Sequence, residues 1–306
     1  MRIFSLLLLP AGLLLSASLG LAPPAAAQAD LTIDERLERT LPGPAGPLPP
    51  DEAILTGRED IVLLEERMFF TAFLSASETV TSNPSLTSSG SDVDAFFSYN
   101  AGLRAATVID ETYRVSAELS MYGAQYAENE ALDYAGFGAA LAADRSFGPY
   151  TAGARYGPQV VFDDEFERHS VTLHRIDVFA NRQVALAANA LVAPQVTLTA
   201  IPADPADYAR IAAELAVPVY YSPAPDWLIT GRPRVYAGHY FDFFERTTGD
   251  TRNDYGGGLA LSAAWTPTPW LTLSAALSVG VNRSTLGNLN HEVVTATPSL
   301  LLRVRF

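Results

Sequence analysis

Arg232-Pro233-Arg234 and Arg303-Val304-Arg305 each set two guanidinium groups two residues apart. In an extended strand that spacing brings both to one face, because side chains alternate. Guanidinium groups in a row can hold anions through planar, bidentate donors, or they can pair with carboxylates. Partners for the second role stand in the same phase: Arg114 with Glu118, Arg210 with Glu214, and Asp177. Histidine offers a third chemistry at His169, His174, His239 and His291, with Asp163, Asp164, Glu165 and Glu167 near the first of them. Yet His169 and Ser170 point to opposite faces, and no serine stands in a lipase-like setting. No two histidines have the helical or tight-turn spacing of a metal site. The chain therefore reads as a non-enzyme with no metal and no cofactor.

The elements that must position these arginines are strands of one kind. Counting back from the last residue, Phe306, Val304, Leu302 and Leu300 share one face, while Arg305, Arg303 and Ser299 share the other. Apolar on one face, arginine on the other, ending on an aromatic ring: this is how the closing strand of a membrane barrel reads, with lipid outside and water within. The same alternation turns Ile211, Ala213, Leu215, Val217 and Val219 to lipid and Arg210 and Glu214 inward. It also turns Leu271 to Val281 outward at every second position, leaving Thr272, Ser274, Ser278 and Asn282 inside.

Period-two segments recur from Arg67 onward. They predict an all-β, up-and-down antiparallel transmembrane barrel of about twelve strands. The strands are expected at 67–77, 92–106, 112–124, 132–143, 149–161, 168–185, 192–201, 206–221, 227–243, 253–265, 270–283 and 291–306, with a bulge near His174-Arg175 where the alternation slips. Connections alternate between short turns and longer, more polar, often acidic loops at 77–91, 125–131, 162–168, 203–206, 245–253 and 284–290. That asymmetry and an even strand count place both termini in the periplasm. Trp227, Trp265 and Trp270 flank proline-rich turns, with Tyr220 and Tyr221 nearby. They are expected at the headgroup level of the inner rim, since a barrel of this size is expected to have no apolar core. Strand direction then gathers Arg67, Arg104, Arg114, Arg232, Arg234, Arg303 and Arg305 at the periplasmic mouth.

Upstream of the strands lie two further segments. Residues 1–29 have the positive start, apolar run and small-residue cleavage site of a signal peptide, cut after Ala29 or alternatively after Ala27. Residues 30–66 carry ten carboxylates against three arginines and several prolines, which reads as an acidic, extended periplasmic segment. Its Asp51, Glu52, Glu59 and Asp60 are candidate contacts for the basic mouth, as a plug or gate. The other reading is a flexible tether or a docking strip. The chain has no cysteine, hence no disulfide and no lipid attachment at cysteine. The net charge of −14 disfavours nucleic-acid binding.

The Ser/Thr-rich first outer loop with Asn83-Pro84 and Ser91-Asp92, then Gly102-Leu103-Arg104, carry a resemblance to known proteins. Arg252-Asn253-Asp254-Tyr255, Pro269-Trp270-Leu271, Asn282-Arg283-Ser284 and the Phe306 terminus add to it. Over most of 67–306 the chain resembles Gram-negative outer-membrane β-barrel proteins of the porin-like type, some associated with exopolysaccharide export. The resemblance implies export to the outer membrane and assembly through recognition of the terminal strand by the barrel-assembly machinery. Surrounding partners would be outer-membrane lipid and lipopolysaccharide, whose phosphates the acidic loop at 163–167 could bridge through divalent cations. A periplasmic export partner is a further candidate.

The leading functional expectation is a narrow channel or export conduit for small or extended solutes, with a bias to anions if the arginines act as a ring. If they pair with Glu118, Glu214 and Asp177 instead, they stiffen the wall, and both roles can hold together. A non-conducting structural or assembly barrel is the second expectation, and an outer-membrane hydrolase the third.

Overall fold

The computed structural model describes residues 68–306 apart from 87, 89–92, 110–111, 164–165, 167 and 245–250. The signal segment, the acidic extension with Asp51, Glu52, Glu59 and Asp60, and Arg67 lie outside the described residues. Twelve antiparallel strands close into a barrel. They are β1 (Met68–Thr81), β2 (Asp94–Ile109), β3 (Tyr113–Tyr126), β4 (Tyr134–Phe147), β5 (Tyr150–Asp163) and β6 (Arg168–Arg182, resuming at Val184–Ala187). Then follow β7 (Ala190–Val192, Gln195–Ile201 and Ala203–Asp204), β8 (Arg210–Ala216 and Val219–Tyr221), β9 (Trp227–Phe244), β10 (Thr251–Thr268), β11 (Leu271–Ser284) and β12 (His291–Arg305). Each strand pairs with its neighbours in sequence. β12 closes on β1 in the register Ala72↔Val304, Leu74↔Leu302 and Ala76↔Leu300.

The interruptions in β7 and β8 have a local cause. Proline has no N–H to give the ladder, so pairing lapses at Pro194, Pro202 and Pro218. Their carbonyls still accept, from Arg182 N (3.0 Å), His174 N (2.9 Å) and Ala193 N (2.9 Å), so the wall stays continuous. The expected strand at 206–221 accordingly begins late, after a 3₁₀ turn at Ala206–Tyr208. β1 runs on to Thr81, beyond the expected end at 77, which shortens the first loop, while β2 spans Asp94–Ile109 instead of 92–106.

Outside, the wall is a band of exposed apolar side chains: Leu103, Leu119, Leu141, Val178, Leu198, Val235, Leu261 and Leu277. A soluble protein would bury such a surface; here Leu119 is 65 % exposed. Aromatic residues edge the band at both ends. Trp227, Trp265, Trp270, Tyr113, Phe147, Tyr150 and Phe306 are exposed toward the end that carries Met68 and the C-terminus, and Phe97, Phe137, Phe241 and Tyr255 toward the loop end. Trp227 and Trp265 stack at 6.1 Å, and the indole of Trp265 donates to Asp226 (2.7 Å).

Two expectations are corrected. The pairing of β5 with β6 is regular at Pro158↔His174 and Gly157↔Arg175; the register shifts instead between Val161 and Phe162, where Val161 meets Val171 and Phe162 meets His169. Ser170 is the extra residue, not His174 or Arg175. The barrel also has an apolar interior cluster: Phe96, Tyr122, Tyr126, Tyr134, Val161, Val171, Leu173 and Ile201 are buried together. They sit on the inner face of β2 to β7 at the loop end. There large inward rings pack against one another and fill part of the lumen.

Candidate functional site

Ladder register fixes which side chains face the lumen. On β5 and β6 the inward row holds Arg155 opposite Asp177, and on β8 and β9 it holds Glu214 opposite Tyr236, with Arg234 and Arg232 toward the terminal end. A cavity of about 460 Å³ lies among them, bounded by Arg155, Arg175, Arg232, Arg234, Asp177 and Glu214. Its opposite wall is made of small residues: Gly258, Ala260, Ala276, Ser278, Gly280, Thr295, Thr297 and Thr79. Long guanidinium arms on one side and short side chains on the other leave open space against β10, β11, β12 and β1. Hydroxyls on that wall pair with one another, Ser278 with Thr295 (2.5 Å), Ser274 with Ser299 (2.6 Å) and Thr79 with Thr297 (3.0 Å). A hydroxyl pair shares one hydrogen, so each pair keeps a donor and spare lone pairs for the lumen.

The expected pairing network is there in part. Glu214 accepts from Arg232 (2.5 Å) and Arg234 (3.2 Å), so one carboxylate serves two cations. Asp177 is buried and pairs with Arg175 (2.9 Å) while accepting from Thr199 (2.6 Å). Arg114 pairs in a fork with Asp144, both bonds at 3.1 Å, and not with Glu118. Glu118 faces Arg104 across the ladder, yet Arg104 donates to Ser116 at 3.5 Å. Arg210 donates to the hydroxyl of Tyr240, and Arg252 lies 4.1 Å from the Tyr240 ring centre while bonding Asp254. Tyr240 thus takes a cation from each side at the loop end. Arg303 and Arg305 face inward at the terminal end, where Arg305 stacks 4.2 Å over Phe69.

Arg155 differs from the others. Among the described residues it has no hydrogen bond or ion pair, although Asp177 stands opposite; Arg175 and Thr199 already hold that carboxylate. Among the described residues arginine outnumbers carboxylate on the inner face, so the pairs leave a positive surplus. The sequence reading missed Arg155, Arg175, Arg252, Asp144, Asp254 and Tyr240. The bulge it placed at His174-Arg175 hid the Arg175/Asp177 spacing, which was the available signal.

One described residue of the first loop also reaches the lumen. Leu86, with φ of 56°, is buried and borders the same cavity near the loop end, beside Thr79 and His291. Asn83 anchors the loop by donating its side-chain amide to the Glu292 carbonyl, and Ser88 N donates to the Asn288 carbonyl at 3.0 Å.

The histidines are occupied elsewhere. His169 contacts Thr172 (3.0 Å), His174 the Tyr156 hydroxyl (2.8 Å), His239 Asn253 (2.8 Å) and His291 the Leu289 carbonyl (3.0 Å). Among the described residues no group of three or more His, Cys, Asp or Glu side chains is placed to hold a metal.

No family model and no curated protein sequence matches the chain. Solved structures do. The COG4313 outer membrane channel from Pseudomonas putida F1 aligns with a TM-score of 0.54 at 10% identity, over 78% of this chain and 95% of that one. The translocator domain of the autotransporter NalP from Neisseria meningitidis aligns at 0.47 and 10% identity, over 78% and 89%. OmpT, an outer membrane protein of Vibrio cholerae, aligns at 0.39 and 11%, over 78% and 97%. Closed antiparallel wall, apolar outer band, aromatic edges and polar lumen together make this chain an outer-membrane β-barrel.

Proposed function

We propose that the barrel is a narrow channel or export conduit of a Gram-negative outer membrane, passing small or extended solutes and favouring anions. Both termini lie in the periplasm, so the short turns meet the inner leaflet and the longer loops face outward. The observation that carries this reading is the lumen cavity with Arg155, Arg175, Arg232 and Arg234 on one wall and small, hydroxyl-bearing residues on the other. A positive surplus inside a low-dielectric wall raises the local concentration of anions. Space against the small-residue wall gives them a path, and its narrowness suits a solute that is small or threaded. The protein in planar bilayers should show discrete conductance steps, and a salt gradient should give a reversal potential on the anion side. Cation preference would sink the selectivity claim, and silence at the bilayer would sink the channel.

A second reading has its own observation. The buried aromatic cluster on β2 to β7 fills part of the loop end. A barrel filled there serves as a structural or assembly component of an envelope machine and does not conduct. The same bilayer measurement separates the two.

A further inference from the structure

Three arginines among the described residues stand on the lipid-facing side of the wall, and they fall into two kinds. At the loop end Arg283 pairs with Glu292 (2.9 Å). At the terminal end Arg145 and Arg182 have no carboxylate among the described residues. Each lies on aromatic rings instead: Arg145 stands 4.7 Å from the Tyr113 ring centre and 4.8 Å from that of Phe147, and Arg182 stands 5.5 Å from that of Tyr150.

The ladder ties these groups into one patch. Tyr113 on β3 is opposite Arg145 on β4, Arg145 is opposite Ala152 on β5, and Ala152 is opposite Ala180 on β6. One step nearer the rim, Phe147, Tyr150 and Arg182 form the next row. The two arginines are therefore two strands apart, about 10 Å. Ala143 and Ala154 pair just above, so with Ala152 and Ala180 they leave a shallow recess beside the arginines that ends at Leu141 and Tyr156.

We infer that this patch on β3 to β6 binds the headgroup of an anionic glycerophospholipid. The rings hold the guanidinium groups in place while no carboxylate among the described residues takes their N–H donors, and a guanidinium grips a phosphate with two bonds. The glycerol end of the lipid sits in the alanine recess with the acyl chains passing over Leu141, and a lipid carrying two phosphates reaches both arginines. Phospholipid is the occupant because the terminal end meets the periplasmic leaflet, the one step taken from the proposed orientation. Among the described residues of β9 to β11 the same rim presents tryptophans and Asp226 instead.

The test is native mass spectrometry of the full folded chain with phosphatidylglycerol, cardiolipin and phosphatidylcholine in equal amounts. Retention of the anionic lipids should exceed that of phosphatidylcholine by about tenfold. Arg145→Gln with Arg182→Gln should bring it down to the phosphatidylcholine level, while Arg283→Gln leaves it unchanged. Both variants should keep the heat-modifiable folded band, because these side chains point away from the lumen. Arg145→Lys with Arg182→Lys, which keeps charge without the planar fork, should fall between. Equal retention of anionic and zwitterionic lipid, or undiminished retention in the double glutamine variant, overturns the site. Displacement of the lipid by glycerol 3-phosphate at low millimolar concentration does so as well, because it marks a free-phosphate site.

Discussion

Phe306 and Phe70 exchange both of their backbone hydrogen bonds at 3.0 Å, and their rings lie 6.2 Å apart within 14° of parallel. They form the final rung of the β12–β1 seam, at the rim of the terminal end. A barrel in lipid cannot leave a strand edge open, because no water reaches the unpaired N–H and C=O groups. Phe306 therefore both completes the ladder and anchors the seam at the interface, where its ring is 70 % exposed.

Deleting Phe306 should lower the fraction of protein that runs as the folded, heat-modifiable band and raise periplasmic degradation. Phe306→Ala keeps the backbone rung and should lose less. Equal outer-membrane yield of the deletion and the parent would show that the seam closes without this residue.

Glu214 holds two arginines at once, so it sets how much positive charge the lumen shows. Glu214→Gln should free Arg232 and Arg234 and move the reversal potential further toward anions. Arg232→Ser with Arg234→Ser should move it the other way and leave Glu214 without those two partners. Opposite shifts in one salt gradient are the expected pair of results. Shifts of the same sign would mean that the arginines do not shape the field seen by permeating ions.

Tyr236, Gly256 and Asn282 occupy one row across β9, β10 and β11, and the tyrosine crosses the glycine to donate to Asn282 Oδ1 at 2.9 Å. A Cβ at position 256 would lie 2.2 Å from the Val281 carbonyl oxygen and 2.7 Å from the Tyr236 hydroxyl. Gly256→Ala should therefore push the ring aside and strain the ladder, costing about 1–3 kcal/mol. Tyr236→Phe, which removes only the hydrogen bond, should cost about 1 kcal/mol. Urea unfolding of vesicle-inserted protein gives the order, and an alanine variant as stable as the parent would refute the crossing.

Much of the architecture is legible in the sequence because the period of a strand is two and one face must meet lipid. The outward phase of Leu300, Leu302 and Val304, and of Leu271 to Val281, follows from that rule, and the inward placement of Arg114, Glu118, Arg210, Glu214, Arg232 and Arg234 follows with it. Pairing is less legible. Which carboxylate meets Arg114 depends on the stagger of neighbouring strands, and Asp144 wins because it stands directly opposite on β4. The interior aromatic cluster is hidden for another reason. Phe96, Tyr122 and Tyr134 come together only through the stagger of β2, β3 and β4, which alternation within one strand does not give. Leu86 cannot be read from alternation at all, since it sits in a loop whose fold is set by Asn83 and the neighbouring chain at Glu292.

Leu86 supplies the last prediction. A branched side chain at φ 56° is in the left-handed region, which ordinary L-residues enter at a cost of roughly 1–2 kcal/mol. Burial of that side chain among Thr79, His291 and their neighbours offsets the cost and narrows the lumen at the loop end. Asparagine tolerates this backbone well and is both shorter and polar. Leu86→Asn should therefore keep the loop in place, fold normally and raise single-channel conductance, without changing which ion is preferred. Leu86→Trp should lower conductance by filling the same space. If asparagine leaves conductance unchanged while tryptophan also has no effect, the narrowest point lies elsewhere, among the arginines of the cavity wall.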